Sequence, residues 1–523
     1  MSAVAAPPQP VRTLAIPTAP PDRRWLVRGF LALWCSALFF YGVHAGQLWK
    51  TEGLRAIVAA EMLRSGNWLV PRLYGEPLFT KPPGMYVAIA LCSLPFGEVR
   101  EWTARLPSAV AALLTVLMLY GYFARCFGRG GGLTAAIVIP MAPLWLDKAS
   151  AAEIDMMQVM WVTAAMVCFL RALEGEECVG VERGAWSVER GTYLFEPATL
   201  DAPRSTMLWW LAALLCVAGG VLTKWTAPAF FYAAVVPLLW WRGRLHLLWG
   251  RHHLTAAATG AAVCFAWVAA AIALEGWDVF VSTVRREALQ RMVPDYAPNT
   301  DPWYAFVLHP LVLLANTLPW SAVALWACRP SFARLWDERG KRLWQALHCW
   351  AWPNVLIWSL MLDHKARHSF PLFPAFGGLA AMVWIAWLTG RLPWKLRVQP
   401  KRALAAALAC WLAVKVVYVE VAVPRRANRD PAGKAAMLAA LVPSAAVLYL
   451  FQVKDEGIMF YYARPVQRLS GPDHLPSSAE PLYCILANSE WERWQGPPAE
   501  VLARMSDEQG APMVLVRIQP LAA

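Results

Sequence analysis

Long apolar runs separated by short polar loops dominate this chain. A membrane-spanning helix needs about 20 mostly apolar residues, and segments near that length lie at 26–48, 105–124, 132–147, 154–173, 206–222, 226–241, 254–274, 304–327, 343–362, 369–390 and 402–423. The pattern predicts a mainly α, polytopic membrane protein of about eleven spans. After residue 424 the periodicity changes. Helix-like AGKAAMLAALV, strand-like SAAVLYLFQV, PLYCILA and PMVLVRI, and a helix-like EWERWQGPPAEVLARM interrupted by prolines predict a small C-terminal α/β domain over 424–523. The segment YYARPVQRL there reads as a packed strand or turn.

Loop charge orients the spans, because Lys and Arg are retained on the cytoplasmic side. The loops with Arg125 and Arg129, with Arg242, Arg244 and Arg251, and with Arg391, Lys395, Arg397, Lys401 and Arg402 carry no acidic residue. All three fall inside if the N-terminal tail, 1–25, is cytoplasmic. The first outer loop is then 49–104, the mixed-charge insert 174–205 is cytoplasmic, 275–303 is an outer loop, and 424–523 lies outside as an accessory domain. Counting the short 81–97 run as a span would invert every later loop. It is therefore laid along the outer interface beside 53–70, where Leu54, Ile57, Val58 and Met62 share one helical face and Arg55, Glu61 and Arg64 lie elsewhere. The insert, with Glu174, Glu176, Glu177, Arg183 and Arg190, reads as a solvated loop.

Composition agrees: 58% of the 523 residues are hydrophobic, with 30 Trp and only 16% charged, which excludes a single soluble domain. The net charge of +13 is spread over short loops rather than a stripe, so no nucleic-acid partner is expected. The cysteines mostly sit in apolar runs and show no CxxC spacing, there is no DxD signature, and neither a metal nor a cofactor is expected.

A transporter tends to place ionisable groups at the membrane midplane. Here the chemically capable residues gather instead at the outer ends of the predicted spans: Lys50, Glu52, Lys81, Glu153, Asp155, Lys224, Arg285, Arg286, Glu287, Arg291, Lys365, Arg367 and His368. Lys415, inside a span, is expected to snorkel. Cations that stabilise a departing phosphate and a carboxylate that takes a proton from an acceptor hydroxyl are what sugar transfer from a lipid phosphate requires.

Residues 51–84, TEGLRAIVAAEMLRSGNWLVPRLYGEPLFTKPPG, resemble the first outer loop of the GT-C glycosyltransferases of the protein O-mannosyltransferase and aminoarabinose–lipid A transferase (ArnT-like) group. Arg105-Leu106-Pro107, AAEIDMM at 151–157, LTKWTAP around Lys224, LPWS at 318–321 and KARHSFPLFPAF at 365–376 are similar to later family motifs. The resemblance implies a GT-C membrane domain over 26–423, interfacial helices in the first outer loop, a polyprenyl-phosphate-sugar donor and a lipid, glycan or protein acceptor. It also implies inversion at the anomeric carbon and an active site on the outer face of a bacterial cytoplasmic membrane. One departure matters: the family's acidic pair is usually Asp-Glu, whereas this chain has Thr51-Glu52.

On that resemblance Glu52 and Asp155 are the expected catalytic carboxylates. Lys81, Lys224, Lys365, Arg367 and His368 are expected to bind donor phosphate, with Glu153 and Arg291 as secondary candidates. Arg285, Arg286, Glu287 and Arg291, near Tyr296, would form a cover over the site. Two other classes remain open from sequence: a transporter of a lipid-linked or anionic solute, and a catalytically silent relative acting as a partner or scaffold.

Overall fold

The structure, a computed structural model, describes residues 24–185, 202–292, 303–361, 364–392, 394, 398–424 and 429–519, with the side chains of 177–204 and 286–292 outside the description. Helix α1, Arg24–Cys35, continues through a π turn at Ser36–Phe40. The first loop then supplies α2 (Thr51–Ser65), a two-residue hairpin β1 (Arg72–Leu73) and β2 (Glu76–Pro77), and α3 (Gly84–Ser93). The helical body follows as α4 (Glu101–Val138), α5 (Pro143–Lys148), α6 (Ile154–Ala185), α7 (Ala202–Val221), α8 (Ala227–Trp241), α9 (Arg251–Glu275) and α10 (Trp277–Met292). It continues through α11 (Tyr304–Asn316), α12 (Trp320–Ala327), α13 (Pro330–Ala333), α14 (Glu338–Ser359), α15 (Phe373–Leu388) and α16 (Pro400–Val417).

Five helical segments among the described residues are long and apolar enough to cross a bilayer: Glu101–Val138, Ile154–Glu176, Arg251–Glu275, Ala366–Leu388 and Pro400–Ala422. Helices α11 and α12 together meet the same test but bend by 103° at their junction, and four shorter apolar helices accompany them. The chain is a multi-pass integral membrane protein. Each apolar segment read from sequence coincides at least partly with helix, but two are not single rods. The 132–147 segment is the end of α4, a break around Pro140 and the short α5; the 304–327 segment is the bent α11–α12 pair. Proline interrupts the amide ladder in both regions, which hydropathy does not register. Segments 105–124 and 132–147 also share α4, which kinks where Gly128 adopts φ +73°.

Polar residues that the loop-charge reading assigns to one side are bonded to one another. At one end Glu174 accepts hydrogen bonds from Tyr122, Arg125 and Arg171, Arg339 donates to Arg125 O, Arg242 to Arg342 O and Arg391 to Leu335 O. Glu174 and Glu176 are thus held within α6, at the end of its apolar Ile154–Glu176 stretch, Glu176 by Trp210 and His252, rather than lying in a solvated loop. Glu177, Arg183 and Arg190 fall outside the described side chains.

The C-terminal unit is α/β as expected: α17 (Pro431–Leu441), β3 (Leu448–Leu450), α18 (Glu456–Tyr462), β4 (Val466–Arg468), β5 (Leu482–Ala487), α19 (Asn488–Trp491), β6 (Ala499–Ser506) and β7 (Pro512–Ile518). Its five-stranded mixed sheet has the order β4-β3-β5-β7-β6, with β3 parallel to both neighbours and β7 antiparallel to both of its own. The expected helix over EWERWQGPPAEVLARM is only one turn, α19. It ends at Trp491, well before Pro497 and Pro498, and the stretch after the prolines pairs with β7 as the bulged edge strand β6.

The helix α2 is not an amphipathic helix lying free at an interface. Its buried residues include Glu52, Gly53, Arg55, Ala56, Ile57, Val58, Ala59 and Met62, so it is covered on several sides. Gly53 explains part of this: a Cβ there would come within 2.5 Å of the Glu456–Gly457 backbone, so only glycine lets α18 seat against α2. The helix ends at Gly66, whose φ of +69° lets its N–H close back on Met62 O at 3.0 Å. Lys415 does not snorkel. It is 1% exposed and its Nζ donates to Ser150 Oγ at 3.0 Å, because α16 packs that face toward the loop after α5 rather than toward lipid headgroups.

Candidate active site

A cavity of about 410 Å³ opens where the ends of α1, α4, α5, α6 and α16 meet the segment before α15. Its wall includes Lys50, Thr51, Glu52, Arg105, Asp147, Lys148, Glu153, Arg367, Tyr418 and Arg429. These residues span nearly the whole sequence, and all lie at span ends that the loop-charge reading places on one side.

Three carboxylates line it. Glu52 is bound at both oxygens: Oε1 accepts from Arg105 Nε at 3.0 Å and from Ala152 N at 2.8 Å, and Oε2 from Arg105 Nη2 at 3.2 Å. The same guanidinium donates to the carbonyls of Val43, Ala45, Gly46 and Gln47, tying down the turn that forms the cavity rim. Asp147 accepts from Tyr418 Oη at 2.8 Å and pairs with Lys148 at 2.9 Å. Glu153, just before α6, accepts from Thr51 Oγ1 at 2.7 Å and lies 2.8 Å from Arg55 Nη1.

The expected residues divide accordingly. Glu52, Glu153 and Arg367 meet at the cavity. Asp155 does not line it: the side chain is 3% exposed and pairs at 2.8 Å with Lys224, itself 3% exposed, so each neutralises the other beneath the cavity, with Lys148 and Arg367 in electrostatic reach of Asp155. Lys81 lies off the cavity wall, donating to Thr80 O at 2.9 Å, close to where Gly84 N bonds Leu222 O at 2.8 Å. Lys365 is exposed and His368 half-buried, and neither is on the wall. The side chains of Arg286, Glu287 and Arg291, and Tyr296, lie outside the described residues. The part of the expected cover that is described is helix α10, pinned by Phe280 against Phe79 with ring centroids 5.0 Å apart.

Sequence reasoning did not single out Lys148, Arg55 or Arg429 as site residues. Asp147 and Lys148 abutting an apolar run were the available signal for the first. Arg429 and Lys50 flank the Trp49 ring at 4.5 and 4.8 Å, and Arg429 Nη1 is buried with no hydrogen-bond partner. No signal short of the fold brings Arg429, near the start of the C-terminal unit, beside Trp49.

That unit also reaches the rim. Lys50 adopts φ +48°, a region costly for a residue with a side chain, and its N–H donates to Glu508 Oε2, while Glu508 Oε1 accepts from Ile458 N at 2.9 Å. Burial pushes the Glu508 carboxyl up to about 7, against the two amide bonds that pull it down, and Asp455 beside it up to about 6. Tyr461 adds a second tether, its hydroxyl accepting from Leu48 N at 2.8 Å and donating to Glu101 at 3.0 Å.

Superposition on solved structures decides the fold. ArnT from Cupriavidus metallidurans bound to undecaprenyl phosphate aligns over 95% of this chain and 98% of that one, with a TM-score of 0.70 at 18% identity. The chain has the ArnT fold. The apo form of ArnT from the same organism aligns at a TM-score of 0.67. The family model described as dolichyl-phosphate-mannose-protein mannosyltransferase matches residues 80–181. An undecaprenyl phosphate-alpha-4-amino-4-deoxy-L-arabinose arabinosyl transferase 2 of Pseudomonas fluorescens is 24% identical over 86% of this chain and 73% of its own length. The corresponding transferase of Erwinia tasmaniensis is 27% identical over 64% of this chain and 55% of its own. The resemblance to ArnT-like GT-C enzymes read from the first outer loop therefore holds along the chain.

Proposed function

We propose that this ArnT-like protein transfers a sugar from a polyprenyl-phosphate donor to an acceptor lipid, glycan or protein at the outer, periplasmic face of a bacterial cytoplasmic membrane. The observation that carries this reading is the cavity itself, where carboxylates and the cations Lys148, Arg367 and Arg429 converge at the span ends of an ArnT fold. The names of the similar arabinosyl transferases make an undecaprenyl-phosphate-linked aminopentose the first donor to test, and the resemblance to aminoarabinose–lipid A transferases makes a lipid the first acceptor.

The chemistry follows from charge. As the bond between the anomeric carbon and the phosphate oxygen breaks, negative charge grows on the lipid phosphate. A fixed cation binds that transition state more tightly than the ground state and so lowers the barrier. Arg367 offers a fork that can bond two phosphate oxygens, whereas Lys148, already beside Asp147, acts as a point charge. The Asp155–Lys224 pair supports the floor of the site rather than meeting substrate. Lys81, Lys365 and His368, off the wall, fit contacts with the lipid headgroup region during approach.

The test is transfer by purified protein in nanodiscs, with undecaprenyl-phosphate-aminoarabinose and lipid A as substrates and mass spectrometry of the products. A covalent glycolipid and released undecaprenyl phosphate are expected. No product with any polyprenyl-phosphate sugar, together with solute accumulation in liposomes, would return the transporter reading.

A further inference from the structure

Thr51 stands in the acidic pair of the first outer loop and supplies no carboxylate. Its hydroxyl instead donates to Glu153 Oε1 at 2.7 Å, a residue 102 positions away. Glu153 is 6% exposed yet lines the cavity. Its backbone is fixed as well, its carbonyl accepting from Ser108 Oγ at 3.2 Å.

The two oxygens of Glu153 differ. Oε1 accepts the Thr51 bond. Oε2 is buried with no hydrogen-bond partner. Arg55 Nη1 lies 2.8 Å from Oε2 as an ion-pair partner, but that nitrogen donates to Thr51 O at 2.7 Å and Ala152 O at 3.1 Å, which accounts for both of its hydrogens. Oε2 is therefore an acceptor with open lone pairs, lying beside a guanidinium. A buried acceptor left without a donor is costly, and a substrate hydroxyl is what would satisfy it. Neither other carboxylate on the wall offers this: Glu52 and Asp147 have both oxygens occupied.

We propose that Glu153, held by Thr51 and Arg55, is the carboxylate that takes the proton from the acceptor hydroxyl in this chain. The proposal rests on the glycosyltransferase reading above. In the step, the acceptor oxygen forms its bond to the anomeric carbon while its proton passes to Glu153 Oε2. The bond between that carbon and the donor phosphate oxygen breaks, and its electron pair leaves with the polyprenyl phosphate. The proton then passes to water in the cavity. Thr51 is a positioning residue: it acts only by fixing which oxygen faces the acceptor.

The experiment uses the full-length protein in nanodiscs with a polyprenyl-phosphate sugar that the wild type turns over. Glu153→Gln keeps shape and Thr51 contact and should lower kcat at least about 100-fold, the usual contribution of a positioned base. Its KM for the donor should stay close to wild type, while its melting temperature should fall modestly because Arg55 loses its ion-pair partner. Thr51→Asp in the Glu153→Gln background returns a carboxylate to the same spot and should recover kcat at least about tenfold, which a purely structural role for Glu153 would not produce. Thr51→Val alone should lower kcat without changing donor KM. Glu153→Gln retaining more than about one third of wild-type kcat, or losing donor binding and activity together, overturns the proposal. A wild type that transfers no sugar from any polyprenyl donor overturns the functional reading instead, so the two failures are distinct.

Discussion

Arg105 and Glu52 form one buried clamp: the guanidinium binds both carboxylate oxygens, at 3.0 and 3.2 Å, and four carbonyls of the turn after the first span. Removing either partner leaves the other buried and unpaired, which costs about 3–5 kcal/mol. Arg105→Ala should lower the melting temperature in detergent by several degrees, and Glu52→Gln by less, because an amide still accepts one bond. If Glu52→Gln melts like wild type yet loses turnover, Glu52 serves the chemistry and not the clamp.

The cations on the cavity wall should matter more than those off it. Arg367→Ala is expected to reduce turnover at least about tenfold, equivalent to losing roughly 1.4 kcal/mol of transition-state stabilisation. Lys365→Ala, at an exposed position off the wall, should change it less than about twofold. Arg367→Lys should retain part of the activity, since charge persists while the fork is lost. Transfer kinetics over a donor titration separate these outcomes; equal losses at 365 and 367 would move the phosphate out of this cavity.

Seating of the C-terminal unit depends on Gly53. Gly53→Val places atoms within 2.5 Å of the Glu456–Gly457 backbone, so α18 must shift away from α2. The expected result is faster hydrogen exchange over 456–462 and at Lys50–Thr51, with the long helices unchanged. Unaltered exchange would mean the contact tolerates a side chain.

The same junction should respond to pH. Glu508 and Asp455 titrate near 7 and 6 in the folded protein, above the ordinary carboxylate range. The folded state therefore holds more protons than the unfolded one between about pH 4 and 7, and stability is full below that window and lost as pH rises through it. For Glu508 the loss is at most about 3–4 kcal/mol. Melting temperature should fall from pH 5 to pH 8, and Glu508→Gln should flatten the upper part of that fall. A Glu508→Gln profile parallel to wild type would place the titrating group elsewhere.

Sidedness can be read directly. A cysteine introduced at Ser470 should react with an impermeant maleimide added outside spheroplasts, and one at Gly250 only after permeabilisation. External labelling at both positions would contradict the orientation taken from loop charge.

Hydrophobic period alone was enough to read a polytopic helical protein with a small α/β domain after 424, because a bilayer forces long apolar runs and a sheet forces short alternating ones. Loop charge likewise sorted the span ends into two groups, and the cavity collects one of them. The family resemblance pointed to Glu52, Glu153, Asp155 and Arg367 through local motifs. What each carboxylate is free to do was not legible, since that depends on which partner arrives from far along the chain. Arg105 closes on Glu52, Lys224 on Asp155, and Thr51 turns to Glu153 across 102 residues. The burial of Lys415, the bend between α11 and α12, and the contact of Glu508 with Lys50 are decided in the same way. Hydrogen-bond and ion-pair assignment is a property of distances below about 3.3 Å, and only tertiary packing sets those.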